Sequence, residues 1–256
     1  MITYRHSGTL GDLIYSLSVV KKMEPGRFMV AINNIENCVS QYGYRAEEVD
    51  PAHKGRFTTR DFELLAPLLE RQSYIKETCT WHQGDTEPDI DLDLFRGVLF
   101  RGFEGNYVEA YHKTFGIPYK LPDVQQELWL EADPVTVAPI VVSRTPRYRR
   151  NSDEEYRAWM NYAKAGNLSE HGIFIGTEKE HADFQRDVNV YIRHYKVKDF
   201  LEMANVVAGA SLVLANQNFV YSLAMGLGIS TVLETIKIKP LQNNECFFLR
   251  ENTLYF

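Results

Sequence analysis

Two segments at opposite ends of this 256-residue chain constrain its fold more than anything between them. Near the start, Ser7-Gly8-Thr9-Leu10-Gly11-Asp12 sets a glycine-containing turn between an extended stretch and an apolar helix pattern. Near the end, Ala210 to Gly228 reads as an apolar strand, a polar turn and another apolar helix. Strand, turn and helix in that order opens a doubly wound α/β domain. Two such units so far apart predict two Rossmann-like domains facing across a cleft, with ligands at the carboxyl ends of their strands.

Between these segments the same alternation continues. Extended stretches are expected at Met1–His6, Arg27–Ile32, Tyr74–Thr80 and Ile90–Leu94. A helix over Asp12–Lys22 would bury Leu13, Ile14, Leu17, Val20 and Met23 on one side, and further helices are expected at Glu36–Tyr42, Asp61–Arg71 and Tyr107–Phe115. Gly116-Ile117-Pro118 stops the last of these. Tyr119 to Pro139 has few helix signals and is the expected connection, which divides the chain into domains 1–135 and 136–256. The second domain opens with a buried parallel strand at Ile140–Val142 and a helix over Asp153–Lys164 capped by Ser152. A strand at Gly172–Ile175 and a polar turn at Gly176–Glu180 follow. A helix at Asp199–Ala208, a strand at Ser211–Ala215, a helix at Phe219–Leu227 and a strand at Ile229–Leu233 complete the pattern.

Composition narrows the function classes. A 45% hydrophobic content supplies compact cores, so disorder is not expected. Cys38, Cys79 and Cys246 are odd in number and lack metal-ligand spacing, which points to reduced thiols in a cytoplasmic protein. No apolar run approaches the roughly 20 residues that span a bilayer, and the amino end lacks the blocks of a signal peptide. A net charge of −6 argues against broad nucleic-acid affinity, which needs many cations to neutralise phosphates.

Four places carry candidate chemistry. At Gly11-Asp12 a glycine turn opens a helix whose unpaired amides favour an anion, and Asp12 is either a first-turn helix charge or a general base facing the cleft. The loop Ser143-Arg144-Thr145-Pro146-Arg147-Tyr148-Arg149-Arg150 follows a strand. Ser143, Arg144, Arg147 and Arg149 are its candidate diphosphate ligands, because guanidinium forms paired hydrogen bonds with phosphate; the alternative is a solvated basic loop balanced by Asp153, Glu154 and Glu155. Asn216-Gln217-Asn218 forms a strand-to-helix turn that either binds phosphate or sugar or simply caps the helix. Gly176, Glu178 and Glu180 follow another strand and are candidates for the ribose and base, against a reading as a solvated turn. His6 is the only histidine beside a candidate site. The run Asp89-Ile90-Asp91-Leu92-Asp93 alternates like a strand and reads as edge solubility rather than a Mg²⁺ site, so no metal ligands are assigned.

The carboxyl half resembles the ADP-heptose:lipopolysaccharide heptosyltransferase-like glycosyltransferases. The resemblance lies in Asp199-Phe200-Leu201-Glu202-Met203-Ala204, in Ala210 to Asn216, and in Ser222-Leu223-Ala224-Met225-Gly226-Leu227-Gly228-Ile229. Gly11-Asp12-Leu13 with Ser16-Leu17 is similar to that family's Gly-Asp-Val/Ile segment, in which the aspartate is the proposed catalytic base. Convincing matches cover about a quarter of the chain. Gln217 stands where the family has Asp, Asn218-Phe219 where it has Thr/Ser-Gly, and Ser222 where it has His. Phe219 would obstruct a phosphate approaching the helix amides.

The resemblance implies a GT-B fold and a metal-independent, inverting transfer of sugar from a nucleotide-sugar, the co-substrate, to a glycan or other hydroxyl acceptor, without a bound cofactor. Two alternatives share that fold: transfer to a modified nucleic-acid base, and a degenerate protein that only binds a nucleotide or nucleotide-sugar.

Overall fold

The computed structural model describes residues 1–32, 57–99, 103, 105–146, 148, 152–235, 248 and 250–256. It resolves into two compact units, one comprising Met1–Val124 with Trp129–Glu131 and the other Gln125–Leu128 with Ala132–Phe256. Each is a parallel α/β layer structure. The expected helix at Glu36–Tyr42 lies outside the described residues, as do Cys38 and Cys246.

The first unit is built on strands β1 (Thr3–His6), β2 (Gly26–Ala31), β3 (Ile75–Trp81) and β4 (Ile90–Asp91), in the spatial order β3-β2-β1-β4 and parallel throughout. Helix α1 (Leu10–Val20) joins β1 to β2, and α2 (Thr59–Glu70) precedes β3. Every α1 residue from Asp12 to Val20 is buried, so the one-sided helix expected from the sequence is a core helix apolar nearly all round. Its two serines satisfy their hydroxyls locally: Ser16 and Ser18 donate to the carbonyls of Leu13 and Tyr15, both at 2.7 Å. Around it close Tyr4, Phe28, Val30, Leu65, Leu69, Phe95 and Tyr111, each about 1% exposed or less. Burial of side chains this large is worth roughly 1.5–3 kcal/mol apiece.

The strand expected over Ile90–Leu94 stops after two residues. Leu92–Leu94 turns into a 3₁₀ helix, capped by Asp91, which runs into helix α3 (Phe95–Leu99). Helix α4 (Tyr107–Thr114), capped by Asn106, packs Phe95 against Tyr111 with ring centres 4.0 Å apart. Gly116 adopts φ +66°, the left-handed conformation that lets a glycine end a helix. The connection also holds a short helix, α5 (Leu121–Gln126), where the sequence suggested none.

The second unit carries six parallel strands in the order β10-β9-β8-β5-β6-β7, with β5 (Ile140–Ser143), β6 (Gly172–Phe174), β7 (Arg193–His194), β8 (Leu212–Asn216), β9 (Thr231–Glu234) and β10 (Thr253–Tyr255). Helices α6 (Asp153–Ala165) and α7 (Leu168–His171) link β5 to β6, and α8 (Glu178–Val188) links β6 to β7. Helix α9 (Phe200–Ala208) precedes β8, and α10 (Phe219–Leu227) joins β8 to β9. Ser152 caps α6 through a reciprocal capping box with Glu155, as Ser-x-x-Glu demands. The core sets Val142, Phe174 and Leu214 of the sheet against Trp159 and Phe184, whose rings meet edge to face at 5.2 Å. No helix among the described residues is long and apolar enough to cross a membrane.

Candidate functional site

Both sheets contain a topological switch point, where consecutive connections leave one strand in opposite directions and part at their carboxyl ends. In the first sheet the chain moves from β1 outward to β2 and β3, then returns to place β4 on the other side of β1. The residues following β1 and β4 there are Ser7–Asp12 and Leu92–Arg96.

Asp12 lies in the first turn of α1, its side chain 11% exposed, and its Oδ2 accepts from Arg96 Nη2 at 2.7 Å. Arg96 itself is 4% exposed and sets Nε 3.6 Å from Asp93 Oδ1. Asp93 is fully buried and through Oδ2 accepts both the amide of Ser7, at 2.8 Å, and its hydroxyl, at 2.5 Å. The reading of the acidic run as strand-edge solubility therefore fails. Asp93 fastens the turn after β1, and Asp91 pairs with Arg5 at 2.7 Å. Burial, with Asp93 nearby, pushes the Asp91 carboxyl up despite that arginine.

The backbone of Asp12 is held separately. The Gly8 amide donates to His6 Nδ1 at 2.9 Å, which makes Nδ1 an acceptor and places the proton of the neutral ring on Nε2. His6 Nε2 then meets the Tyr111 hydroxyl at 2.8 Å, and that hydroxyl donates to the Asp12 carbonyl at 3.1 Å. His6 is thus part of the site's frame. Thr9, at the N-cap of α1, makes no side-chain cap hydrogen bond, whereas each other described helix of eight residues or more has one. The start of α1 is thus not closed by the side chain of its N-cap residue.

In the second sheet the switch point lies between β5 and β8, which brings Ser143-Arg144-Thr145 beside Asn216-Gln217-Asn218. Here the polar groups grip one another. Asn216 is fully buried, accepts the Thr145 amide at 3.1 Å and donates to the Thr145 carbonyl at 3.0 Å. Asn218 caps α10 by accepting the Tyr221 amide, and its Nδ2 lies within 3.1 Å of the Ser143 carbonyl, Ser143 Oγ and Asn216 Oδ1. Phe219 packs edge to face on Phe200 at 4.8 Å.

Arg144, expected to clamp a diphosphate, is 2% exposed and donates from Nε and Nη2 to both oxygens of the fully buried Glu234, at 2.8 and 2.6 Å. Burial works against its charge, but the hydrogen bonds and charge of Glu234 outweigh it, with Tyr156 and Asp187 adding to them. A guanidinium so engaged is a structural ion pair. Arg147 and Arg149 lie outside the described residues. The Gln217 side chain is half-buried and forms no hydrogen bond among the described residues.

On the ribose side the polar turn proves to be a helix start. Thr177 and Glu180 form a reciprocal capping box on α8, which engages the Glu180 carboxylate. Glu178 is exposed and pairs with Lys196 at 2.5 Å, whose hydrogen bond and charge hold its carboxyl below the usual range. The Gly176 carbonyl faces His194 Nε2 at 2.8 Å, and His194 stacks on His181 with ring centres 4.6 Å apart. Sequence reasoning missed Arg96, Asp93, Tyr111 and Glu234. Their partners lie 84 to 99 residues away, beyond any local spacing; the one hint was the acidic run, whose alternation suggested a strand instead. Among the described residues no three His, Cys, Asp or Glu side chains gather as metal ligands.

The sequence matches no protein-family model and no curated protein. Solved structures match over the whole chain. A glycosyl transferase family 9 protein from Veillonella parvula DSM 2008 superposes with a TM-score of 0.61 at 10% identity, covering 100% of this chain and 85% of that one. The chain has the fold of a family 9 glycosyltransferase. The E. coli heptosyltransferase WaaC, solved with ADP, gives 0.52 at 12% identity over 99% of this chain and 92% of its own. E. coli ADP-heptose lps heptosyltransferase II gives 0.50 at 10% identity, with 100% and 89% covered. At such identities the likeness carries the arrangement of strands and helices.

Proposed function

We propose that this protein is a glycosyltransferase that moves a sugar from a nucleotide-sugar to an acceptor hydroxyl with inversion and without a metal. The observation that carries the reading is Asp12: a carboxylate in the first turn of the helix that follows β1, at the switch point, its side chain 11% exposed and paired with Arg96. In a single step the acceptor oxygen bonds to the anomeric carbon while its proton passes to the Asp12 carboxylate. The bond from that carbon to the diphosphate breaks, and its electron pair leaves with the nucleoside diphosphate. Arg144, engaged by Glu234, is not assigned to the charge on the departing group. Metal independence fits the aspartates of the 89–93 run, of which Asp89 holds Thr3, Asp91 holds Arg5 and Asp93 holds Ser7. WaaC, as solved with ADP, motivates ADP-sugars as the first donors to test.

The test is release of nucleoside diphosphate from a panel of nucleotide-sugars with and without hydroxyl acceptors. Wild-type turnover that disappears in Asp12→Asn, with donor binding unchanged, supports the reading; full turnover in Asp12→Asn overturns it. A second reading, a nucleotide-sugar-binding protein without transfer, draws on the second unit, where Asn216 and Asn218 hold each other rather than facing outward. Donor binding with no turnover on any acceptor would favour it.

A further inference from the structure

We propose that Arg96 is the positioning residue for Asp12, and that Asp93 fixes Arg96 and the turn after β1 in one register. This rests on Asp12 acting as the base. Arg96 Nη2 grips Asp12 Oδ2 at 2.7 Å, and its Nε faces Asp93 Oδ1 at 3.6 Å. Through its other oxygen Asp93 holds Ser7, one residue after the strand that aims the turn. Arg96 thereby bridges the two segments that part at the switch point. From the opposite side the Tyr111 hydroxyl, itself met by His6, donates to the Asp12 carbonyl, so side chain and backbone are restrained from different elements.

The Gly8 position shows how closely this frame is built. A Cβ placed there would collide with Arg96 Nη2 and His6 Cε1, so the guanidinium reaches Asp12 across space only a glycine leaves open. Among the described residues Arg96 and Tyr111 bond to Asp12 directly, and the titratable groups His6 and Asp93 join this frame through Tyr111 and Arg96. Among the described residues Arg96 is the cation seen paired with Asp12; His6 Nδ1 accepts a hydrogen bond from the Gly8 amide and lies 3.8 Å from Asp93 Oδ1.

Two measurements test this and separate it from the transferase reading. The first is the carboxyl ¹³C titration of Asp12, assigned by its loss in Asp12→Asn, in wild type, Arg96→Met and Arg96→Lys. The midpoint should rise by about 1–3 pH units in Arg96→Met and stay near wild type in Arg96→Lys. A midpoint unmoved in folded Arg96→Met overturns the proposal whatever the activity. If Arg96→Met fails to fold, the Lys variant decides by turnover. The second is the pH profile of donor turnover, where Arg96→Lys, which keeps the charge but loses the fork, should lower kcat by roughly 10²-fold. An Arg96→Lys enzyme with wild-type kcat and an unmoved acid limb refutes positioning while leaving the base intact. Full turnover in Asp12→Asn refutes the base and leaves the titration to judge Arg96.

Discussion

The two switch points sit at the same place in their sheets and are finished differently. After β1 the turn is short, the helix that follows lacks a side-chain cap, and Asp12, though held by Arg96, keeps part of its surface in solvent. After β5 and β8, buried amides and hydroxyls bond to one another, Asn218 closes the start of α10, and Arg144 lies beneath with Glu234. One switch point carries a carboxylate held by an arginine, and the other binds its polar groups to one another. Hydrogen bonds formed within the protein stabilise it but remove the same groups from a ligand, so an uncapped helix start with its acidic first turn and a capped start with its closed amide cluster imply different roles at equivalent topological positions.

The largest effect expected is at the Asp12 site. Asp12→Asn should lower turnover by about 10²–10⁴-fold, the usual contribution of a positioned base, with the thermal midpoint little changed. Equal loss of stability and activity would instead make Asp12 another structural ion pair and erase the contrast. At the closed site stability should respond. Arg144→Met strands Glu234 as a buried charge and should cost about 3–5 kcal/mol in urea unfolding; a loss below about 1 kcal/mol would show that the pair is solvated and the arginine available to a ligand.

Smaller changes sharpen the comparison at the helix starts. Asn218→Ala removes a cap and the donations to Ser143 and Asn216, for an expected loss of about 1–2 kcal/mol. Thr9→Ala removes no cap bond and should cost less than about 0.5 kcal/mol by the same measurement. If the two losses were equal, the open and closed starts would not be distinct. The smallest effect belongs to the exposed Glu178–Lys196 pair. Lys196 holds the Glu178 carboxyl below its usual range, so its contribution is present above the unfolded-state value and fades as pH falls through the lowered folded one. Screened by salt, Lys196→Ala should leave the thermal midpoint at pH 7 within error.

What the sequence disclosed follows from how local the signal is. The α10 helix, the Ser152 cap and the strand, turn and helix around Asp12 are written within a few neighbouring residues, and all were legible. The α8 helix was not, because Glu-Lys-Glu-His-Ala-Asp-Phe-Gln-Arg-Asp-Val buries only Asp183, Phe184 and Val188 and looks like a polar turn. The two-residue β7 and the edge strand β10 take their identity from neighbours in the sheet. At the candidate site Asp12 could be singled out by its turn, but Arg96 met Asp12 and Asp93 met Ser7 only when β4 returned to the far side of β1. Arg144 took a structural place that its loop did not announce for the same reason: the carboxylate that claims it, Glu234, stands 90 residues later.

Gly8 carries a consequence for how relatives of this chain can diverge. Its backbone needs no left-handed geometry, so alanine there is barred only by the atoms of Arg96 and His6. Positions 8 and 96 are then under joint constraint. In an alignment of homologues they should covary, with side chains at 8 appearing only in lineages where 96 has become shorter, and the pair would mark which branches have abandoned the arginine-held aspartate.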